Sequence, residues 1–256
     1  MSPVEPLYFA EDRRLFGCLH PARQPGARIG VVMVQPAFGE YIQHHRAFYV
    51  LAEALADRGF PCLRYDHFGT GDSASDLMQA RLSDWIGDVT VAARTLVASS
   101  GVSRIHLVGA RLGASLALAA APRIARTTGL VLWEPVWSGR DYLESLLAIH
   151  STALGPWLDD APDRSACPKD VLGFEIGGQL WSDLTELSVD LPLVSPELDA
   201  CVLLSEQSGP WQPPDGYARV SVSRVEHPVG WLQPDEGMYD VLTPADVIQQ
   251  IIRWMA

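Results

Sequence analysis

The chain has 256 residues, 48% of them hydrophobic and 20% charged, a composition too apolar for disorder and sufficient for one large α/β domain with an inserted cap. Its 19 basic and 31 acidic residues leave a net charge of −12, which opposes a nucleic acid or an anionic membrane surface as partner. Cys18, Cys62, Cys167 and Cys201 are too few and too scattered for a disulfide framework, and with no zinc-ligand spacing, phosphate loop or apolar leader the expectation is a cytoplasmic protein without metal or cofactor.

Two short strand-like stretches, 7–10 and 15–20, open the chain on either side of a charged turn. Residues 29–34 form a near-continuous β-branched run, the composition of a strand buried on both faces. A helix is predicted over 45–58, with Phe48, Leu51, Ala52, Leu55 and Ala56 on one face, Gly59 past its end, and His44 and His45 as its solvated start. There follow a strand at 61–65, a Gly-rich turn, and a helix over 83–99 that buries Trp85, Val89, Ala92 and Leu96. A third strand at 105–108 leads through Gly109 to Gly113 into a small-residue helix, and a fourth lies at 130–133. Such alternation argues a right-handed, doubly wound, mostly parallel sheet.

From 135 to 196 the alternation is lost, and Trp137, Trp157 and Trp181 are scattered among helical pieces such as 142–150. This segment is read as a cap over a core made of 1–134 and 197–256. Strands at 201–204 and 220–225 resume the pattern, and a last helix begins with Thr243 as N-cap and Pro244 at its first position. Its apolar face is Val247, Ile248, Ile251 and Ile252.

The segment Gly109-Ala110-Arg111-Leu112-Gly113 follows a parallel strand and enters a helix. That is the context of a nucleophile elbow, the G-x-S-x-G turn that lifts a serine above the sheet. Here arginine stands at the centre. The flanking glycines match the close approach of strand and helix, so the turn fits although the reactive hydroxyl is missing.

Four segments together resemble the α/β-hydrolase superfamily. They are Pro36-Ala37-Phe38-Gly39-Glu40 with Arg46, Leu63-Arg64-Tyr65-Asp66 running into Gly69-Thr70-Gly71-Asp72-Ser73, the elbow, and Leu132-Trp133-Glu134-Pro135-Val136-Trp137-Ser138-Gly139. More narrowly they resemble the exosortase A system-associated hydrolases of the branch numbered 2, over about 29–147 with a weaker echo at 171–177. Members of that branch also carry arginine at the elbow, so the resemblance implies that Arg111 is a subgroup trait. It further implies a setting of exopolysaccharide and protein sorting. His227-Pro228-Val229-Gly230-Trp231 departs from the branch.

A guanidinium at a helix start faces the positive end of the helix dipole, at a cost of about 0.3–1 kcal/mol if nothing offsets it. An anion is therefore expected beside Arg111, either internal (Glu40, Asp66, Glu134 or Glu206) or a carboxylate or phosphate on a ligand. The backbone N–H groups of Phe38 and Leu112 occupy the oxyanion-hole positions of this fold. His227, between the last strand and the last helix, stands where the fold delivers its general base. Glu206 is the first choice for its acid, before Asp215 and Glu134. Glu40 and Arg46 read either as functional or as a local ion pair. Arg64, Asp66 and Asp72 read as loop-fixing, and Ser115 points into packing.

Three functions remain open at this point. The first is an enzyme on an anionic small molecule, with Arg111, Phe38, Leu112, Glu40 and Glu134 binding substrate while His227 and Glu206 move a proton. The second is a catalytically inactive binding or scaffold protein, and the third an ordinary esterase using Ser115 or a cysteine. The first is preferred, with a homodimer left open as the assembly.

Overall fold

The computed structural model describes residues 4–153, 170–206, 208–226 and 243–255. Eight strands form one sheet in the order β1-β2-β4-β3-β5-β6-β7-β8. They are β1 Glu5–Phe9, β2 Leu15–His20, β3 Ile29–Val34, β4 Cys62–Tyr65, β5 Arg104–Ala110, β6 Thr127–Trp133, β7 Asp199–Ser205 and β8 Val220–Val225. The first two pair antiparallel, β2 runs antiparallel to β4, and every pairing from β4 onward is parallel. The doubly wound sheet expected from the sequence is the one observed.

The helices are α1 Phe38–Ala56, α2 Leu82–Ser100, α3 Leu112–Ala120, α4 Gly139–Ala153, α5 Gly178–Glu186 and α6 Ala245–Met255. Val31, Val32, Met33 and Val34 of β3 are fully buried, because helices cover both faces of the sheet and a strand in that position exposes neither side. The predicted faces of α1, α2 and α6 are buried as read, including Phe48, Trp85, Leu96, Val247 and Ile251. None of the helices among the described residues is long and apolar enough to cross a membrane.

Two boundaries differ from the sequence reading. Helix α1 begins at Phe38, seven residues before the predicted start, with Ala37 at its N-cap and no side-chain cap. The apolar period fails over this first turn because its contacts are polar and tertiary, and His44, expected in solvent, is fully buried with Nδ1 2.7 Å from the Glu40 carbonyl and its ring against Trp133. Helix α6 starts at Ala245, one residue later than expected. The Pro244 carbonyl accepts from Ile248 N–H, and the Asp246 carboxylate accepts from Glu226 N–H, which ties the helix start to the end of β8.

Of the segment read as a cap, α4 and α5 are described. The backbone of Gly139 lies so close to Leu184 that a Cβ there would sit 1.9 Å from its carbonyl oxygen. Asp183 of α5 accepts from Leu82 N–H at the start of α2, and Trp137 stacks on Trp211 at 5.0 Å. Trp157 lies outside the described residues.

Candidate functional site

Strand β3 lies between β4 and β5, so the chain leaves β3 to one side and later returns to its other side. In an open α/β sheet the crevice at the carboxyl ends of such strands is where ligands bind. The loop into α1 and the turn into α3 meet there.

That turn has elbow geometry. Arg111 holds φ 53° and ψ −127°, a conformation that a side chain adopts only under strain, at roughly 1–3 kcal/mol. Its N–H donates to the Trp133 carbonyl at 2.8 Å, which fixes the turn onto β6. The glycines are required by contact. A Cβ on Gly109 would lie 2.5 Å from the Gly113 carbonyl oxygen, and one on Gly113 would lie 2.2 Å from that of Val34 and 2.4 Å from that of Gln35. Phe38 (φ 55°) and Glu134 (φ 47°) carry the same strained sign. Three such residues thus follow three adjacent strands, β3, β5 and β6, and strain of this kind gathers at functional sites.

Phe38 and Leu112 are each the first residue of a helix, so their N–H groups have no acceptor within their own helix. The side chains of both are buried.

The arginine resolves its charge internally. Arg111 Nε donates to Glu40 Oε1 at 2.8 Å, Nη1 donates to the Glu134 carbonyl at 3.3 Å, and Tyr142 of α4 donates its hydroxyl to Glu40 Oε2 at 2.9 Å. The Glu40 side chain is 2% exposed and that of Arg111 16%. The Arg111 guanidinium also lies 5.7 Å from the Tyr142 ring centroid, within cation–π range. Burial works against the Arg111 charge, but the Glu40 carboxylate outweighs it and holds the guanidinium above its ordinary pKa. Burial first, and then the same carboxylate, push the Tyr142 hydroxyl well up, so it stays protonated and donates. Of the anions named from the sequence, Glu40 is the partner. Glu40 does not pair with Arg46, which is exposed; the local ion pair is replaced by one spanning 71 positions.

Glu134 hydrogen-bonds Arg111 through its carbonyl, and its carboxylate acts on the guanidinium only as a more distant charge. Its carboxylate accepts from Ser205 N–H and from the Ser208 hydroxyl, and so closes the loop after β7. Glu206 sits exposed in that loop, as does Asp215 further along, and among the described residues neither joins a salt bridge. His227 lies outside the described residues. Asp66 accepts from the Tyr41 hydroxyl and from Asp72 N–H, as a loop-fixing group would; Arg64, read the same way from the sequence, instead lies within β4 and donates to His20 of the neighbouring β2. Ser115 is buried and donates to the Val136 carbonyl at 2.6 Å. Tyr142 was missed by the sequence reading, which saw only the start of a helix there; a contact spanning 102 positions leaves no periodic signal. Among the described residues, no three His, Cys, Asp or Glu side chains are grouped to hold a metal ion.

Comparison with known proteins places this geometry. Est1E from Butyrivibrio proteoclasticus, solved with ferulic acid bound, superposes with a TM-score of 0.68 at 15% identity over 97% of each chain. The proline iminopeptidase of Mycobacterium smegmatis gives 0.58 at 15% over 98% of each. The bottromycin epimerase BotH, in complex with bottromycin A2, gives 0.59 at 16% over 99% of each. At such identities the likeness is one of fold. No curated protein matches the sequence. The family model described as serine aminopeptidase, S33, matches residues 28–167, more than half of the chain and including the strained loop, the Gly-rich turn and the elbow, and the chain therefore belongs to that family of α/β-hydrolases.

Proposed function

We propose that this protein binds a small molecule on an α/β-hydrolase frame without forming a serine acyl-enzyme. The observation that supports this reading is the closure of the elbow by its own ion pair. A serine there would present a hydroxyl to a substrate carbonyl. Arg111 instead directs its guanidinium to Glu40, and Tyr142 holds the second carboxylate oxygen. A guanidinium is not a nucleophile at any accessible pH. The preference read from sequence, an enzyme in which Arg111 awaits an anionic substrate, loses its main ground because the compensating anion is internal.

One feature still favours the anionic-substrate reading. The Arg111 side chain keeps 16% exposure and meets Glu40 through a single nitrogen, so an anion retains a line of approach. Two experiments decide between the readings. Incubation with a fluorophosphonate probe and with short p-nitrophenyl esters is expected to give neither labelling nor turnover, and stoichiometric labelling at any serine would overturn the proposal. Thermal shift with acetate and inorganic phosphate is expected to be flat. A rise that disappears in Arg111→Met would replace the proposal by the anionic-ligand reading.

A further inference from the structure

The amino ends of β5 and β6 carry a second group of cations, at the end of the sheet away from the elbow. Strand β5 alone, with 7 residues, separates the two ends by about 20 Å. Helix α3 runs into a single 3-10 turn, Ala121–Arg123, and the chain then bends into β6. Thr127 N–H donates to the Ile124 carbonyl at 2.9 Å, and Ile105 N–H to the Arg126 carbonyl at 2.8 Å. These bonds fix the backbone that carries Arg123 and Arg126 beside the second half of α2, which contributes Arg94.

A cavity of about 390 Å³ opens between them, with Arg94, Arg123 and Arg126 on its wall and Ala93, Val97 and Ile124 in its apolar lining. The three arginines are exposed, and among the described residues none joins a salt bridge. Arg126 donates one N–H to the Val102 carbonyl at 3.3 Å, which holds its side chain at the cavity edge. No carboxylate is among the lining residues described. In a chain of net charge −12, three guanidiniums around one cavity without an acid form a local field that attracts an anion.

The lining narrows the kind of anion. Guanidinium forks match phosphate and carboxylate oxygens. Three charges suit a phosphate monoester, at about −1.5 to −2 near pH 7, better than the single charge of a carboxylate. The apolar lining residues described are aliphatic, so they offer no aromatic face on which a base or ring could stack, and a saturated chain fits them instead. The volume falls within the roughly 300–1,000 Å³ of small-molecule sites. Exposed charge pairs contribute little by themselves, so head and chain are both required.

We propose that this cavity binds an alkyl phosphate monoester from solution, its phosphate on Arg94, Arg123 and Arg126 and its chain along Ala93, Val97 and Ile124. The site shares no residue with the elbow and does not depend on the reading given for it.

Isothermal titration calorimetry of the full chain with hexyl phosphate, hexanoate, 1-hexanol and inorganic phosphate tests this. Hexyl phosphate is expected to bind saturably and about tenfold tighter than hexanoate, the factor that one charge-assisted hydrogen bond confers, while hexanol and inorganic phosphate give no saturable binding. The double variant Arg94→Gln with Arg123→Gln should weaken hexyl phosphate at least about tenfold, and since both side chains are exposed its melting temperature should stay unchanged. Arg111→Met should bind hexyl phosphate as the unmodified protein does, which separates this site from the elbow. No binding of hexyl phosphate, equal binding of hexanoate or inorganic phosphate, full binding by the double variant, or loss of binding in Arg111→Met would each overturn the proposal. Methyl resonances of Ala93, Val97 and Ile124 in the unmodified protein should shift on saturation with hexyl phosphate, and unmoved methyls refute the placement of the chain. Flotation with vesicles of phosphatidylcholine and phosphatidic acid is expected to leave the protein behind; a protein carried with the vesicles would replace the free ester by a membrane lipid.

Discussion

Removing the two halves of the Arg111–Glu40 pair in turn should have unequal effects, because the two side chains differ in exposure. Arg111→Met keeps much of the stem volume and removes the charge. It leaves a carboxylate that is 2% exposed with, among the described residues, the Tyr142 hydroxyl as its side-chain donor. Orphaning a buried ion in this way costs about 3 kcal/mol, which for a chain of this size lowers the melting temperature by about 6–12 °C. Glu40→Gln leaves the guanidinium, but at 16% exposure Arg111 can turn toward water, and the new amide oxygen still accepts from Tyr142. The expected loss is about 1–2 kcal/mol. The double variant should lose about 2 kcal/mol less than the sum of the singles, since each single loss contains the same broken contact. Urea unfolding followed by tryptophan fluorescence measures all three. A loss below about 1 kcal/mol for Arg111→Met, or a larger loss for Glu40→Gln than for Arg111→Met, would refute the assignment of Glu40 as the buried and dependent partner.

Two further outcomes follow from the fold. Gly113→Ala should cost at least about 3 kcal/mol, because its Cβ would meet the backbone oxygens of Val34 and Gln35, which cannot move without breaking β3; Gly178→Ala, where nothing lies within 4 Å of the added carbon, should stay within about 0.5 kcal/mol. His106 carries a pKa lowered to about 4, first by burial and then by Arg104. The unfolded chain therefore takes up the proton first as pH falls. Stability from this residue is complete above about pH 6.5, is lost between there and about 4, and amounts in total to about 3 kcal/mol. His106→Leu should flatten melting temperature against pH in that window, with a residual slope from His20, which burial displaces in the same direction. An unchanged slope would refute the role of His106.

How much of this was legible follows from the range over which each signal acts. The strands β3 to β7 and helix α2 could be read because burial on two faces, or on one helical face, writes its period into adjacent residues. The start of α1 could not, since Phe38 to His44 are placed by Trp85, Trp133, Tyr142 and Arg111, all distant in sequence. The elbow was legible from two glycines in the right context, and Ser115 from the direction of a helix face. For Arg111, the need for an anion was legible from the helix dipole, but Glu40, Asp66, Glu134 and Glu206 were equal candidates on spacing alone.

By itself, then, the sequence determined a doubly wound α/β sheet, a glycine-flanked strand-to-helix turn with arginine at its centre, and a cation there that requires a counter-charge. These are local consequences of composition, period and helix electrostatics. Only the tertiary structure decided which carboxylate supplies that charge, tied the Glu134 carboxylate to the loop after β7, and brought Tyr142 onto Glu40. Each of these depends on how β3, β5, β6 and α4 converge at one end of the sheet, and contacts spanning 71 to 102 positions impose no pattern on neighbouring residues.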